Sequence, residues 1–332
     1  MRKIIIRLTV SLAIAAVLIF WLTGQGFDVL PSWEAIKTNA IWWAIPVYVI
    51  LFSVFHVLRA WRWSYLLRPF AEVPTRVMME VAFSGFTAIQ MMPLRTGEVA
   101  RPYLLDRYTG TSKSALFGTI AIERVVDGLL VSLWLTAALF TISAENAQYV
   151  WGLRCIPLLI FVVALVLLIA FYRSPDLVRR VIEKVIGLFS SRLAAFAVGV
   201  LERFHRGLAA LPDARSLWAF VVMSIFYWGT NALGFYLLAR GCGLELPFVG
   251  AVAGMGCLAV GILLPAGPGY FGNFQVAVLA ALEIYIPAAS SSRGAAVFIF
   301  LLYVLQTGLT ILFSLGGALG LRGRPVNRSR SG

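Results

Sequence analysis

The chain has 332 residues, 60% of them hydrophobic and 13% charged, with a formal net charge of +13. A mean hydropathy of +0.87 is far above that of an ordinary soluble domain, so much of the apolar surface must face lipid. The charge would suit nucleic acid, but the basic residues fall between apolar runs, as in the cytoplasmic loops of membrane proteins, so nucleic acid is not an expected partner.

A helix rises about 1.5 Å per residue, and about 20 apolar residues cross about 30 Å of hydrocarbon. On that ruler complete spans are predicted at 4–23, 41–57, 114–142, 151–172, 217–239 and 295–319. The first follows Met1-Arg2-Lys3; Leu22-Thr23-Gly24-Gln25 is a poor cleavage site, and the segment reads as a retained helix. Arg2, Lys3 and Arg7 place the start of the chain in the cytoplasm, whereas 24–40, with Asp28, Glu34 and a lone Lys37, belongs outside. The span 41–57 returns the chain to a cytoplasmic segment carrying Arg59, Arg62, Arg68 and Arg76. Trp42, Trp43, Trp61 and Trp63 read as interfacial belt residues, and His56 as structural.

The run 77–92 is short and ends at Pro93-Leu94-Arg95-Thr96-Gly97. Proline removes a backbone donor and clashes with the preceding turn, so this run is a half-helix. Non-helical backbone at membrane depth survives only against protein or a watery cavity, which makes the break a candidate binding site. If the following piece is helical, Arg95, Glu98 and Arg101 share a face. Glu98 neutralises one arginine and leaves a charge suited to a phosphate; the alternative is a cytoplasmic salt-bridged turn.

Counted from Ser114, Glu123-Arg124-Val125-Val126-Asp127 begins about 14 Å into the next span, close to the bilayer centre. Each ionisable residue there costs about 2.5–3.5 kcal/mol on an insertion scale, so all three should face inward and be paired. Glu123 and Asp127 share a face; they either pair with Arg95, Arg101 or Arg124, as a structural network would, or carry a proton.

The basic stretch 174–216 has apolar residues at helical spacing and reads as an amphipathic helix at the inner interface, or as a plain connector. Further on, the runs 248–264 and 270–286 flank a second break, Pro265-Ala266-Gly267-Pro268-Gly269. Gly267, Gly269, Gly272, Tyr270, Asn273 and Gln275 offer close backbone approach and an exposed helix start, in a path-shaping element or a tightly packed hairpin. Arg322, Arg324, Arg328 and Arg330 put the tail in the cytoplasm, and His205 and the acceptor pattern Asn327-Arg328-Ser329 carry little weight. Cys155, Cys242 and Cys257 lack metal-ligand spacing.

Threading these signs through the chain makes the element at 77–105 enter and return from inside and the one at 248–286 from outside. The expected fold is therefore an all-α polytopic membrane protein, a single domain 1–332. It has six full spans and two oppositely oriented re-entrant hairpins in an inverted repeat, with halves 1–145 and 150–322.

Three motifs, Pro93-x-x-x-Gly97-Glu98-x-x-Arg101, Glu123-Arg124-x-x-Asp127 and Leu264-Pro265-x-x-Pro268-Gly269-x-x-Gly272, occur in this order. In them the chain resembles the membrane region of the lysylphosphatidylglycerol synthase/flippase family and its stand-alone relatives. The resemblance implies lipid translocation in a bacterial inner membrane, with the two hairpins flanking the lipid path. It does not imply lipid synthesis, since the soluble aminoacyltransferase domain of the two-function members is absent from this sequence. Gln275 stands where relatives usually have glutamate, so the proton or cation chemistry that the resemblance would assign to that position is not carried over to this chain.

The expected function is a lipid flippase or scramblase acting on a phospholipid or lipid-phosphate headgroup. The alternatives are an intramembrane transferase acting on a lipid-phosphate carrier and a small-solute or ion transporter. No nucleotide-binding loop or His-Glu-x-x-His occurs, which argues against ATP-driven transport by this chain alone. Nothing in the sequence indicates a metal or organic cofactor. The expected partners are membrane lipids, with a second copy of the chain or a separate lipid-synthesising enzyme as further candidates.

Overall fold

A computed structural model describes residues 2–70, 73–92, 97–142, 144–176, 179–180, 183–184, 190, 198, 213–264 and 267–324, the side chains of 2–8 and 144–149 excepted. Most of the interhelical stretch 174–216 and the residues Pro93, Arg95 and Pro265 lie outside the described residues. Among the described residues the chain forms eleven α-helices and no strand.

In chain order these are α1 (Arg2–Gly24), α2 (Trp33–Asn39), α3 (Ala44–Leu67), α4 (Thr75–Met91), α5 (Ala100–Thr109), α6 (Lys113–Leu139), α7 (Ala144–Arg173), α8 (Ala214–Gly241), α9 (Phe248–Gly261), α10 (Asn273–Tyr285) and α11 (Arg293–Arg322). α3, the Val150–Arg173 part of α7, α8 and α11 are long and apolar enough to cross a membrane. α6, with 27 residues, matches them in length but carries Glu123, Arg124 and Asp127 in its middle. The protein is thus an all-α polytopic membrane protein.

Two elements differ from the expectation. α3 continues to Leu67, ten residues past the predicted end at Val57, because Trp61, Trp63, Tyr65, Leu66 and Leu67 extend its apolar face beyond the arginines. Arg59 and Arg62 consequently sit inside the helix rather than in a loop. α2, unforeseen, begins where Ser32 Oγ accepts from Ala35 N–H at 3.2 Å, an N-cap followed by Glu34 in the first turn.

The most extensive helix pair is α3 with α8, running antiparallel. Ile41 N–H donates to the Gly241 carbonyl at one end, at 2.7 Å. Phe55 stacks on Tyr227 midway, with ring centroids 4.3 Å apart. Arg68 Nη1 donates to Ser216 Oγ at the other end, at 3.1 Å. α4 and α11 are also antiparallel, and their seam is polar: Gln90 Nε2 donates to Thr307 Oγ1 at 2.9 Å, Thr87 N–H to Ser314 Oγ at 3.2 Å, and Arg324 Nη2 to Glu80 Oε1 at 2.9 Å. Such bonds between helices replace lost water and set register. The pairings α3–α4, α4–α5, α5–α6 and α4–α11 have counterparts in α8–α9, α9–α10, α10–α11 and α9–α6.

Glycines let the two short-helix pairs fold tightly. Gly97 lies directly on the Ala88 backbone, closing the turn between α4 and α5. Between α9 and α10 the turn Pro268–Tyr270 uses Gly269 at φ +70°, and Gly272 at φ +90° precedes α10; both are left-handed conformations open to glycine. α1 packs on this turn, with Ala15 and Leu18 against Gly267 and Gly272.

A methyl group at Gly97 would meet backbone, which cannot give way, whereas one at Gly308 in α11 would meet nothing. Gly97→Ala should therefore lower stability by about 1–3 kcal/mol. Gly308→Ala should be neutral or raise it by up to about 1 kcal/mol. Thermal unfolding of the two variants in detergent checks this; equal midpoints would show that the turn tolerates a side chain.

Candidate functional site

A buried charge cluster joins α3, α5, α6 and α8. One turn of α6 supplies Glu123, Arg124 and Asp127, of which Glu123 is wholly buried and Asp127 nearly so. Arg62 of α3, fully buried, grips Asp127 with both terminal nitrogens, at 2.5 and 2.6 Å. Arg62 Nη1 also donates to Ser224 Oγ of α8 at 2.7 Å, and Nη2 to Glu123 Oε1 at 3.5 Å. Arg101, in the first turn of α5, donates from Nη1 to both Glu123 oxygens, at 3.1 and 3.0 Å. Arg124 bridges Glu123 at 2.5 Å and Asp127 at 3.4 Å, and reaches Glu98 at 4.0 Å. Trp228 of α8 donates from Nε1 to Asp127 Oδ1 at 3.1 Å.

Aromatic rings complete the shell. The Arg101 guanidinium lies 4.1 Å from the centre of the Trp63 ring, and Arg62 lies 4.4 Å from that of Tyr227, favourable placements for a desolvated cation. The stem of Arg101 passes over Gly85, where a side chain would displace it. Trp63, expected at the interface, is instead fully buried and donates to Thr119 Oγ1 at 3.0 Å, because α3 continues inward past it. Trp42, Trp43 and Trp61 do lie exposed.

Of the expected pairings, Glu123 with Arg101 and Arg124, and Asp127 with Arg124, are present. The expected grouping of Glu98 with Arg101 is replaced: Arg101 turns to Glu123, and the Glu98 carboxylate has Arg124 at its edge. The main partner of Asp127, Arg62, was missed, since a basic residue after an apolar run reads as a loop. Its usable signal was the aromatic run through Trp61, Trp63 and Tyr65, which continues the helix.

Beside the cluster, between α3, α4, α8, α9, α11 and the Pro268–Tyr270 turn, is a cavity of about 140 Å³. Its polar lining includes Arg59, Arg124, His56, Gln90, Asn231 and Gln306. The His56 ring lies 3.2 Å from Thr310 Oγ1 through Nε2. Tyr270 also lines the cavity, and its hydroxyl donates to the Ile89 carbonyl at 3.0 Å, so the ends of the two short-helix pairs touch there. Arg124 and Tyr270 are thus the sequence-predicted polar residues that face this space, while Arg101, Glu123 and Asp127 stand behind it. Asn273 and Gln275 serve the backbone: Asn273 Nδ2 donates to the Gly261 carbonyl at 3.3 Å, and Gln275 Oε1 accepts from Gly272 N–H at 2.8 Å, capping α10.

These features define a class, a helical membrane protein with a paired charge cluster and a polar cavity among broken helices. Residues 5–313 match the family model described as the lysylphosphatidylglycerol synthase TM region, and the chain belongs to that family. It is similar to a curated protein of Haloferax volcanii named glycosyltransferase AglD, at 25% identity over 304 residues, covering 82% of this chain and 48% of that protein. The chain therefore spans about half the length of that relative.

Breaking one side of the buried pair should be costly. Arg62→Ala leaves Asp127 without its bidentate partner and should lose about 3–5 kcal/mol, whereas the joint change Arg62→Met with Asp127→Leu should recover most of it. Denaturation in mixed micelles measures both; a double variant as unstable as the single would show that packing, not charge, holds this contact.

Proposed function

We propose that the chain is a lipid flippase or scramblase that passes a phospholipid or lipid-phosphate headgroup through the cavity while the tails remain in the bilayer. The observation that carries this reading is the placement of Arg59 and Arg124 in a cavity where the two short-helix pairs meet at the Tyr270–Ile89 bond. In this proposal α4–α5 and α9–α10 are re-entrant hairpins entering from opposite sides, and the halves 1–145 and 150–322 form an inverted repeat. The antiparallel course of α3 and α8 supports it, as does the exchange of helix pairings between the halves. The chain would lie in a bacterial inner membrane with both termini in the cytoplasm.

Direction follows from charge. With the cytoplasm negative, one negative charge moves outward with a gain of about 2.3 kcal/mol per 100 mV, and a cation is opposed equally. An anionic lipid needs no further coupling. A second reading, an intramembrane transferase on a lipid-phosphate carrier, is favoured by the name of the Haloferax protein. It would use the same arginines to hold the phosphate, and it differs in needing a second, activated substrate.

Reconstitution in liposomes tests the proposal. Headgroup-labelled anionic and zwitterionic phospholipids should cross faster than in empty vesicles without any added substrate. Arg124→Gln should slow crossing at least about tenfold, the equivalent of losing one charge-assisted hydrogen bond. Absence of crossing for every lipid, with and without an imposed potential, would reject the flippase reading.

A further inference from the structure

The charges around the cluster balance, among the described residues, until Arg59 is counted. Among the described residues, Arg62, Arg101 and Arg124 face Glu98, Glu123 and Asp127 in the ion pairs. Arg59 is one helical turn before Arg62 and forms no hydrogen bond or ion pair with any of them. Its guanidinium rests 4.0 Å from the centre of the Phe86 ring, and its Nε is buried without an acceptor. Arg124 Nε is likewise buried and lacks an acceptor, while Nη2 donates to both Glu123 and Asp127 and Nη1 only approaches Glu98, at 4.0 Å.

Both residues line the cavity, and no aspartate or glutamate does so among the described lining residues. The cluster's carboxylates are instead engaged by Arg62, Arg101 and Arg124. A guanidinium inside a membrane protein without a counter-ion is a costly arrangement that marks a ligand path. The space is small: about 140 Å³, against roughly 300–1,000 Å³ for pockets that enclose a drug-sized molecule. It admits a phosphate and a few attached atoms.

We infer that the cavity selects a phosphate-bearing anionic lipid headgroup, with Arg59 supplying the missing counter-charge, and discriminates against a headgroup esterified with a cationic amino acid. A cationic headgroup would meet two arginines and no facing carboxylate. This rests on the reading of the cavity as a headgroup site. Within it, Arg59 is a specificity-determining residue, since the other cations of the cluster among the described residues, Arg62, Arg101 and Arg124, already have carboxylate partners.

Binding can be read without transport. The full chain in detergent would be titrated with dihexanoyl phosphatidylglycerol, its lysyl ester, dihexanoyl phosphatidylcholine and inorganic phosphate, with thermal unfolding as the readout. The expected result is stabilisation by phosphatidylglycerol at a concentration at least about tenfold lower than for the lysyl ester or the phosphatidylcholine. Arg59→Gln should collapse that preference, and Arg59→Lys, which keeps the charge, should retain part of it. Equal or stronger stabilisation by the lysyl ester, or a preference unchanged in a folded Arg59→Gln protein, would overturn the inference. Stabilisation by inorganic phosphate alone would overturn the lipid assignment. Failure of every lipid to cross in liposomes rejects the flippase reading and leaves the binding preference to be judged on the titration, so the two failures are distinguishable.

Discussion

A charge inside a membrane must be accompanied by its counter-charge, and the arrangement of this molecule follows from that requirement. Glu123, Arg124 and Asp127 occupy one turn in the middle of α6, where the two carboxylates are buried away from water and Arg124 reaches the cavity. Their partners come from three other elements: Arg62 from α3, Arg101 from α5, and Trp228 of α8, which donates to Asp127, while Ser224 of α8 accepts from Arg62. Four helices are thereby fixed in rotation and depth at one point. A well-packed apolar substitute could be as stable, because desolvation offsets much of the attraction. What the ionic version adds is register: sliding α3 by one turn would bring Arg59 rather than Arg62 to Asp127 and leave several groups bare.

The cluster also explains why a break can occur beside it. α5 starts close to the end of α4 because Gly97 admits the Ala88 backbone, and the turn presents Arg101 to Glu123 from the first turn of its helix. At the second break the described residues show no ion pair, and hydrogen bonds to backbone hold it. Gln275 accepts the Gly272 amide, and Tyr270, at φ 61°, adopts a conformation unusual for a non-glycine residue. The Tyr270 hydroxyl on the Ile89 carbonyl spans the gap between the two breaks. One conformationally costly residue thus makes the contact that closes the cavity on this side, a common location for stored strain.

The membrane class, the two helix interruptions and the pairing of the α6 charges were legible because each is local: apolar run length, Pro and Gly in sequence, and ionisable residues counted along a helix. Arg59 and Arg62 were not. The pattern that identifies cytoplasmic loops treats any arginine after an apolar run as an end marker, and it cannot see a carboxylate 61 to 65 positions away. The same blindness placed Trp63 at the interface. Gln275 illustrates a different limit: a polar side chain near a helix start caps its own backbone or faces a ligand, and only the Gly272 bond distinguishes them. Gln90, Asn231 and Gln306 were passed over, and His56 was read as structural, because single polar residues in apolar helices carry no spacing signal, and what joins them is a shared cavity.

The proposed repeat has a further consequence, because its frame is balanced and its charge is not. α3 and α6 carry Arg59, Arg62, Glu123, Arg124 and Asp127 in their interiors; their counterparts α8 and α11 carry charge only near their ends, at Arg215 and Arg240 and at Arg293 and Arg322. The second half instead presents Ser224, Tyr227, Trp228 and Asn231 toward the same region. In the proposed function a headgroup between the halves would meet cations on one wall and neutral rings and amides on the other. A purely symmetric site would offer equal surroundings when reached from either side. Here the cations that line the cavity, Arg59 of α3 and Arg124 of α6, belong to the first half, so in the proposed function an anion between the halves is held toward that wall and must leave it to exit. Departure against that attraction is the step on which the membrane potential would act.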